Sequence, residues 1–145
     1  MGEFTLHSRL REDTLEVADL RLSRVLLMND ARFPWLVLVP RRIDVCELFD
    51  LKPEDRSALV EEIAIVAQML QSQTNCIKVN IAALGNQVPQ LHVHVIARFM
   101  GDAAWPQPVW CARASAQAYG REKAEEMRAK LQEGLRALFS HITCL

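Results

Sequence analysis

Hydrophobic and polar positions follow a strand-like pattern in the first third of the chain. Residues 19–28 (DLRLSRVLLM) alternate and then become apolar, and residues 35–39 (WLVLV) are apolar throughout, so both segments predict strands. The sequence NDARFP, residues 29–34, has the composition of a turn, and Pro40 ends the second apolar run. The pattern therefore predicts an antiparallel hairpin.

Helical periodicity marks two longer segments. Apolar side chains recur every three or four residues in 53–73, where proline and two acidic residues occupy the first turn. The same spacing predicts a C-terminal helix over residues 121–139, and a weaker repeat predicts a short helix over 8–18.

Two further strands are predicted over residues 77–81 and 90–99, and a loop over residues 101–111. Strands thus come in pairs between helices, which favours an antiparallel sheet over a doubly wound parallel one. We expect an α+β fold in which residues 1–145 form one domain, because a chain of 145 residues is of single-domain size.

Charge, cysteine spacing and apolar runs exclude several classes of protein. Lysine and arginine number 17 against 18 acidic residues, so the net charge of −1 argues against a broad basic face for nucleic acid. A pocket for one small anion is not excluded by a net charge. The four cysteines form no C-x-x-C pair, and neither a secretory signal nor an apolar run of membrane-spanning length is found. These features predict a cytoplasmic protein with no membrane partner.

The segment PQLHVHVI, residues 89–96, carries the candidate chemistry. Side chains alternate faces along a strand, so Gln90, His92 and His94 would share one face while the apolar residues between them pack on helices. Neighbours at i and i+2 stand roughly 6.5–7 Å apart. Two imidazoles at that spacing can contact one phosphate group.

The residues alone are compatible with three interpretations of this histidine pair. The pair can be incidental on a half-exposed strand. It can be two ligands of a metal site, as in a cupin, although His7 and His141 lie near the ends of the chain and no further ligand adjoins the pair. It can also provide an imidazole that attacks phosphorus.

The stretch Q-L-H-V-H-V-I resembles the motif of the histidine-triad (HIT) family, H-φ-H-φ-H-φ-φ with φ apolar. Gln90 stands in place of the first histidine, as it does in a bacterial branch of the family. Gly85 lies seven residues before His92, where family members carry a glycine, and Asn86-Gln87 follow it as the usual polar pair. The resemblance also includes the hairpin LLMNDARFPWLVLVPRR and covers about residues 20–100.

The family resemblance implies a five-stranded antiparallel sheet with two main helices, usually paired as a homodimer. It implies hydrolysis or transfer at the α-phosphate of a nucleoside phosphate derivative, such as a dinucleoside polyphosphate or a nucleoside phosphoramidate, without cofactor or metal. His92 would be the nucleophile and form a nucleotidyl-histidine. His94 would bind the phosphate and help to protonate the leaving group. Gln90 cannot titrate, so only an orienting role is expected for it.

The resemblance and local composition also indicate candidate residues for substrate binding. These are Asn29, Asp30, Asn80, Gly85, Asn86, Gln87 and Trp105. The hairpin residues would contact the ribose, the amides would hold phosphate oxygens, and tryptophan in a Trp-Pro loop can stack on a base. Trp35 occupies a position where many members have histidine, and we expect it to be a core aromatic. A catalytically weak nucleotide-binding or sensor module is the alternative function.

Overall fold

All strands of the computed structural model, which describes residues 2–145, join one antiparallel sheet. The strands are β1 (Thr14–Asp19), β2 (Ser23–Met28), β3 (Trp35–Pro40), β4 (Lys78–Ala82), β5 (Val93–Arg98) and β6 (Thr143–Cys144). The helices are α1 (Ser8–Asp13), α2 (Pro53–Thr74) and α3 (Arg121–Leu138). The predicted α+β class and the hairpin formed by β2 and β3 are confirmed.

The strand order is β4-β5-β3-β2-β1-β6, so β5 is the second strand from one edge of the sheet. The two faces of the sheet are covered differently. The α2 and α3 helices pack on one face in a core that contains Leu36, Leu38 and Val95. The other face is covered by α1, the residues before it and the loop after β5, in a second core around Trp35 and Val37.

Both long helices were predicted to within one residue at each end. α2 begins at Pro53, whose missing N–H is not needed in the first turn, and ends where Asn75 adopts a left-handed conformation with φ of 54°. No helix in the described part of the chain is both long and apolar enough to span a membrane.

The start of the chain differs from the prediction. The helix predicted over 8–18 ends at Asp13, and the following residues form β1, which pairs with β2 and buries Val17 and Ala18. Tertiary pairing overrides a weak helical repeat here. Because the two-residue strand β6 also joins β1, the sheet has six strands rather than the expected five.

Candidate functional site

The two histidines lie side by side on the sheet face opposite the long helices. His94 belongs to β5, pairs with Val37 of β3 and shares its face with Trp35 and Ile96. The predicted strand over 90–99 begins only at Val93, so His92 directly precedes it. The two imidazole centroids are nevertheless only 5.0 Å apart, with the ring planes at 76°.

A hydrogen bond to the main chain selects the tautomer of the His92 ring. The Nδ1 atom lies 2.6 Å from the backbone oxygen of Gln90. A carbonyl oxygen only accepts hydrogen bonds, so Nδ1 must carry the proton. The neutral ring then has its lone pair on Nε2, which is the nitrogen required for attack on an electrophile.

Both ring nitrogens of His94 form hydrogen bonds with other residues of the chain. The indole N–H of Trp35 donates to Nδ1 at 3.0 Å, and Nε2 donates to the backbone oxygen of Leu84 at 3.0 Å. Burial lowers the pKa of His94 to about 4, although the Leu84 contact opposes this shift. The ring is therefore neutral near pH 7 and has no second proton to give.

A cavity of about 310 Å³ opens above the two rings. Its volume is in the range of pockets that bind small molecules. His92 and His94 are only 5% and 4% exposed, so they form part of its wall rather than projecting into solvent. The cavity is lined by Arg9, Leu10, Asp13, Met28, Leu84, Gly85, Asn86, Gln87, Val88, His92, His94 and Trp110.

Gly85 allows the loop before β5 to approach His92 closely. A Cβ atom at this position would lie 2.9 Å from Cε1 of His92 and 3.1 Å from the backbone oxygen of Val88. Real Cβ atoms essentially never come within 3.0 Å of a heavy atom outside their own residue and its chain neighbours. The backbone here has no positive φ, so glycine is required by the close packing rather than by conformation.

The predicted substrate residues fall into three groups, of which Asn29 and Asp30 form one. Gly85, Asn86 and Gln87 lie with the histidines around the cavity. Asn80 and Trp105 instead contact the Arg98 guanidinium. The side-chain oxygen of Asn80 accepts from it at 2.8 Å, and the Trp105 ring centroid is 5.7 Å from it.

Arg98 is a buried residue that ties the loop after β5 to the sheet. It pairs with Asp102 at 2.7 Å and donates to the backbone oxygen of Gln107. Burial alone would raise the pKa of Asp102, but the bonds from Arg98 and from backbone N–H groups outweigh burial and lower it to about 2. Asn80 and Trp105 are part of this structural network.

The predicted ribose residues support a neighbouring segment of the chain. The side-chain oxygen of Asn29 accepts from the backbone of Tyr119 at 2.9 Å. Asp30 is buried, pairs with Arg32 at 2.7 Å and accepts from the backbone of Gln117. Both line a second cavity of about 410 Å³, which shares four wall residues with the first: Arg9, Asp13, Met28 and Trp110.

The Gln90 side chain makes its hydrogen bonds with the start of the chain, not with the histidine rings. Its oxygen accepts from the backbone N–H of His7 at 2.9 Å, and its nitrogen donates to the backbone oxygen of Thr5 at 3.0 Å. The backbone of Gln90, not its side chain, orients His92.

Sequence reasoning did not assign two tryptophans to the site. Trp35 is buried, as expected of a core aromatic, but it also donates to His94. Trp110 lies at the junction of the two cavities, with its ring centroid 4.9 Å from that of His94 and 5.6 Å from that of Trp35. The signal for Trp110 was the aromatic loop over 101–111, in which only Trp105 was nominated.

The structure offers no clear set of metal ligands. Within residues 2–145, no three side chains of histidine, cysteine, aspartate or glutamate come together as a group that could hold a metal ion.

Comparison with known proteins gives a family match across the central part of the chain. The model of the HIT domain matches residues 10–101. A histidine triad protein from Bradyrhizobium japonicum is 48% identical, with a TM-score of 0.88 over 92% of this chain and 98% of that one. One from Marinobacter aquaeolei is 42% identical, with a TM-score of 0.90 over 94% and 99%.

A more distant structure shares the fold alone. The diadenosine triphosphate hydrolase of Plasmodium falciparum has a TM-score of 0.65 and 16% identity, over 93% of this chain and 82% of that one. A search of curated proteins finds no match.

Proposed function

Because the chain belongs to the HIT domain family, whose members are generally nucleotide hydrolases or transferases, we propose that it acts at the α-phosphate of a nucleoside phosphate derivative. The observation that carries the proposal is the tautomer of His92, in which Nδ1 carries the proton. Its Nδ1 is bonded to a carbonyl, so the lone pair is on Nε2 of a ring in the cavity wall.

In the first step, Nε2 of His92 attacks the α-phosphorus. A phosphorus–nitrogen bond forms, and the bond from phosphorus to the leaving oxygen or nitrogen breaks. The Gln90 carbonyl stabilises the positive charge that develops on the imidazole through its bond to Nδ1–H. In the second step, a water oxygen or another acceptor attacks phosphorus and the phosphorus–nitrogen bond breaks, which restores His92.

The loop before β5 would stabilise the phosphate oxygens that gain charge. Asn86 and Gln87 are exposed and line the cavity beside Gly85, so their amides are available to donate hydrogen bonds. Phosphoryl-type transfer depends mainly on positioning and charge stabilisation, which neutral donors on a fixed loop can supply.

His94 would bind a phosphate oxygen through Nε2–H, exchanging its bond to Leu84 for one to the substrate. The lowered pKa of about 4 makes this ring a neutral hydrogen-bond donor rather than a cation at pH 7. Loss of this N–H from a neutral ring would leave an imidazolate, so the leaving group would take its proton from water, and the predicted part of His94 in protonating it stays a prediction.

The substrate would be a dinucleoside polyphosphate or a nucleoside phosphoramidate. The name of the Plasmodium relative supports the first class. The second cavity is contiguous with the first and holds Asn29, Asp30 and Trp110, so it would take the nucleoside portion.

The test combines turnover with trapping of the intermediate. Wild type, His92→Ala and the control His141→Ala, which changes an exposed histidine outside the cavity, are incubated with diadenosine polyphosphates and adenosine phosphoramidates. We expect turnover and an adenylyl adduct on His92 in wild type and His141→Ala, and neither in His92→Ala. Equal rates in all three proteins would refute the proposal.

A nucleotide sensor is the second candidate, because both nitrogens of His94 are already bonded within the protein. Such a protein would bind AMP in calorimetry and yield no adduct.

We also propose a cytoplasmic homodimer. Four unpaired thiols are typical of a reducing compartment. The edge strand β4 presents main-chain groups to a partner. Ile81 within this strand and Ile77 directly before it are about half exposed. Light scattering on the purified protein tests the oligomeric state.

A further inference from the structure

Gln90 links the nucleophile to residues 4–13, here called the N-terminal arm. The backbone oxygen of Gln90 accepts from His92, while its side-chain amide bonds to the arm at Thr5 and His7. One residue therefore contacts the reactive imidazole on one side and a segment more than 80 residues away in sequence on the other.

The N-terminal arm contributes one wall of the histidine cavity. Arg9, Leu10 and Asp13 of α1 line that cavity. Leu6 and Leu10 are buried in the same core as Val88, which belongs to the loop before β5. The arm is thus in a position to contact whatever occupies the cavity, and its placement affects the shape of the site.

Glutamine suits this connection better than the histidine that the triad motif has at this position. Its amide offers an acceptor and a donor at one end, which match the N–H of His7 and the C=O of Thr5 two residues apart. The donor and acceptor of a neutral imidazole lie on separate ring nitrogens that point in different directions. A histidine would satisfy only one of the two backbone groups.

We propose that Gln90 is a positioning residue that fixes the N-terminal arm as a substrate-contacting wall, so that the arm takes part in nucleotide binding. The proposal rests on the proposed function and deepens it. Because Gln90→Ala keeps the carbonyl that orients His92, the loss should fall mainly on KM. Gln90→Ala breaks both hydrogen bonds to the arm, so KM should rise by up to about 30-fold, against about fivefold for the loss of one such bond, with a smaller change in kcat.

His7 allows the same contact to be removed from the other side. Its φ of −54° suits proline, so His7→Pro removes the N–H that bonds to Gln90 without forcing a new backbone angle. The control His7→Ala keeps this N–H and removes the imidazole, which caps the N–H of Arg9. Comparing the two variants isolates the bond to Gln90.

The experiment measures KM and kcat for an adenosine phosphoramidate, together with hydrogen exchange of residues 4–13. We expect Gln90→Ala and His7→Pro each to raise KM and exchange relative to their controls, wild type and His7→Ala. The double variant should be no worse than the more affected single variant, because both changes break one connection. Multiplying effects would overturn the proposal.

The remaining outcomes separate this proposal from the proposed function. An active wild type whose KM is unmoved by Gln90→Ala, even with faster exchange in the arm, shows a purely structural bond and refutes the positioning role alone. A wild type that neither binds nor turns over nucleotides refutes both.

Discussion

The replacement Gly85→Ala tests the close packing between the loop before β5 and His92, the proposed nucleophile. The added methyl would lie 2.9 Å from Cε1 of His92, about 0.5 Å inside the 3.4 Å at which ordinary contact begins. The backbone oxygen of Val88 would also be only 3.1 Å from this methyl, so the strain must displace the imidazole or the loop. A 1 Å misplacement of reacting groups can cost about 100-fold in rate, so a shift of half that size predicts about a tenfold loss.

The stability of Gly85→Ala should change much less than its rate. Overpacking costs about 1–3 kcal/mol, and alanine recovers about 0.4–1 kcal/mol by restricting the unfolded chain. We expect a net loss of about 1 kcal/mol. Gly101→Ala is the matched control, because a Cβ atom there meets nothing within 4 Å.

The assay for this variant is the single-turnover rate of adduct formation on His92, measured beside urea unfolding. Wild type and Gly101→Ala should form the adduct at the same rate, and Gly85→Ala about tenfold more slowly. An unchanged rate in Gly85→Ala would show that the loop yields without moving the imidazole, which would refute the reasoning.

Two further predictions concern His94. Trp35→Phe leaves Nδ1 of His94 buried without its hydrogen-bond donor, so the free energy of unfolding should fall by about 1–3 kcal/mol in urea titrations. The control Trp110→Phe changes a partly exposed ring and should alter this free energy little. Because burial lowers the pKa of His94 to about 4, the unfolded chain binds more protons than the native one between pH 4 and 6.5. Stability should therefore decline as pH falls from 6.5 towards 4, and His94→Gln should flatten this decline by roughly 1–2 kcal/mol at pH 5; equal slopes in both proteins would contradict it.

Local patterns predicted those parts of the fold that have a strong local signal. The apolar period of α2 and the turn between β2 and β3 are written in consecutive residues, and both appear where expected. β1 was missed because its residues become a strand only through pairing with β2 and burial under α3. A pairing partner is not visible in a short window of sequence.

The site residues likewise divide into those with a local sequence pattern and those brought together only by contacts between distant segments. The register of His92, His94 and Gly85 with the family motif identified residues that the structure brings together. The contribution of the N-terminal arm had no sequence signal, since Gln90 meets it across more than 80 residues. Asn80 matched the motif in type, but its side-chain oxygen bonds to Arg98, a contact that no spacing rule predicts.

The two faces of the sheet allow stability and specificity to be evolved separately. Along β5, Val95 and Ala97 face the helices, whereas His94 and Ile96 face the cavity side. A mutation library confined to the core between the sheet and the helices α2 and α3 would select for a higher free energy of unfolding without changing residues of the cavity. A second library confined to exposed positions of the cavity wall, such as Asn86 and Gln87, would then select for new substrates with little loss of that stability.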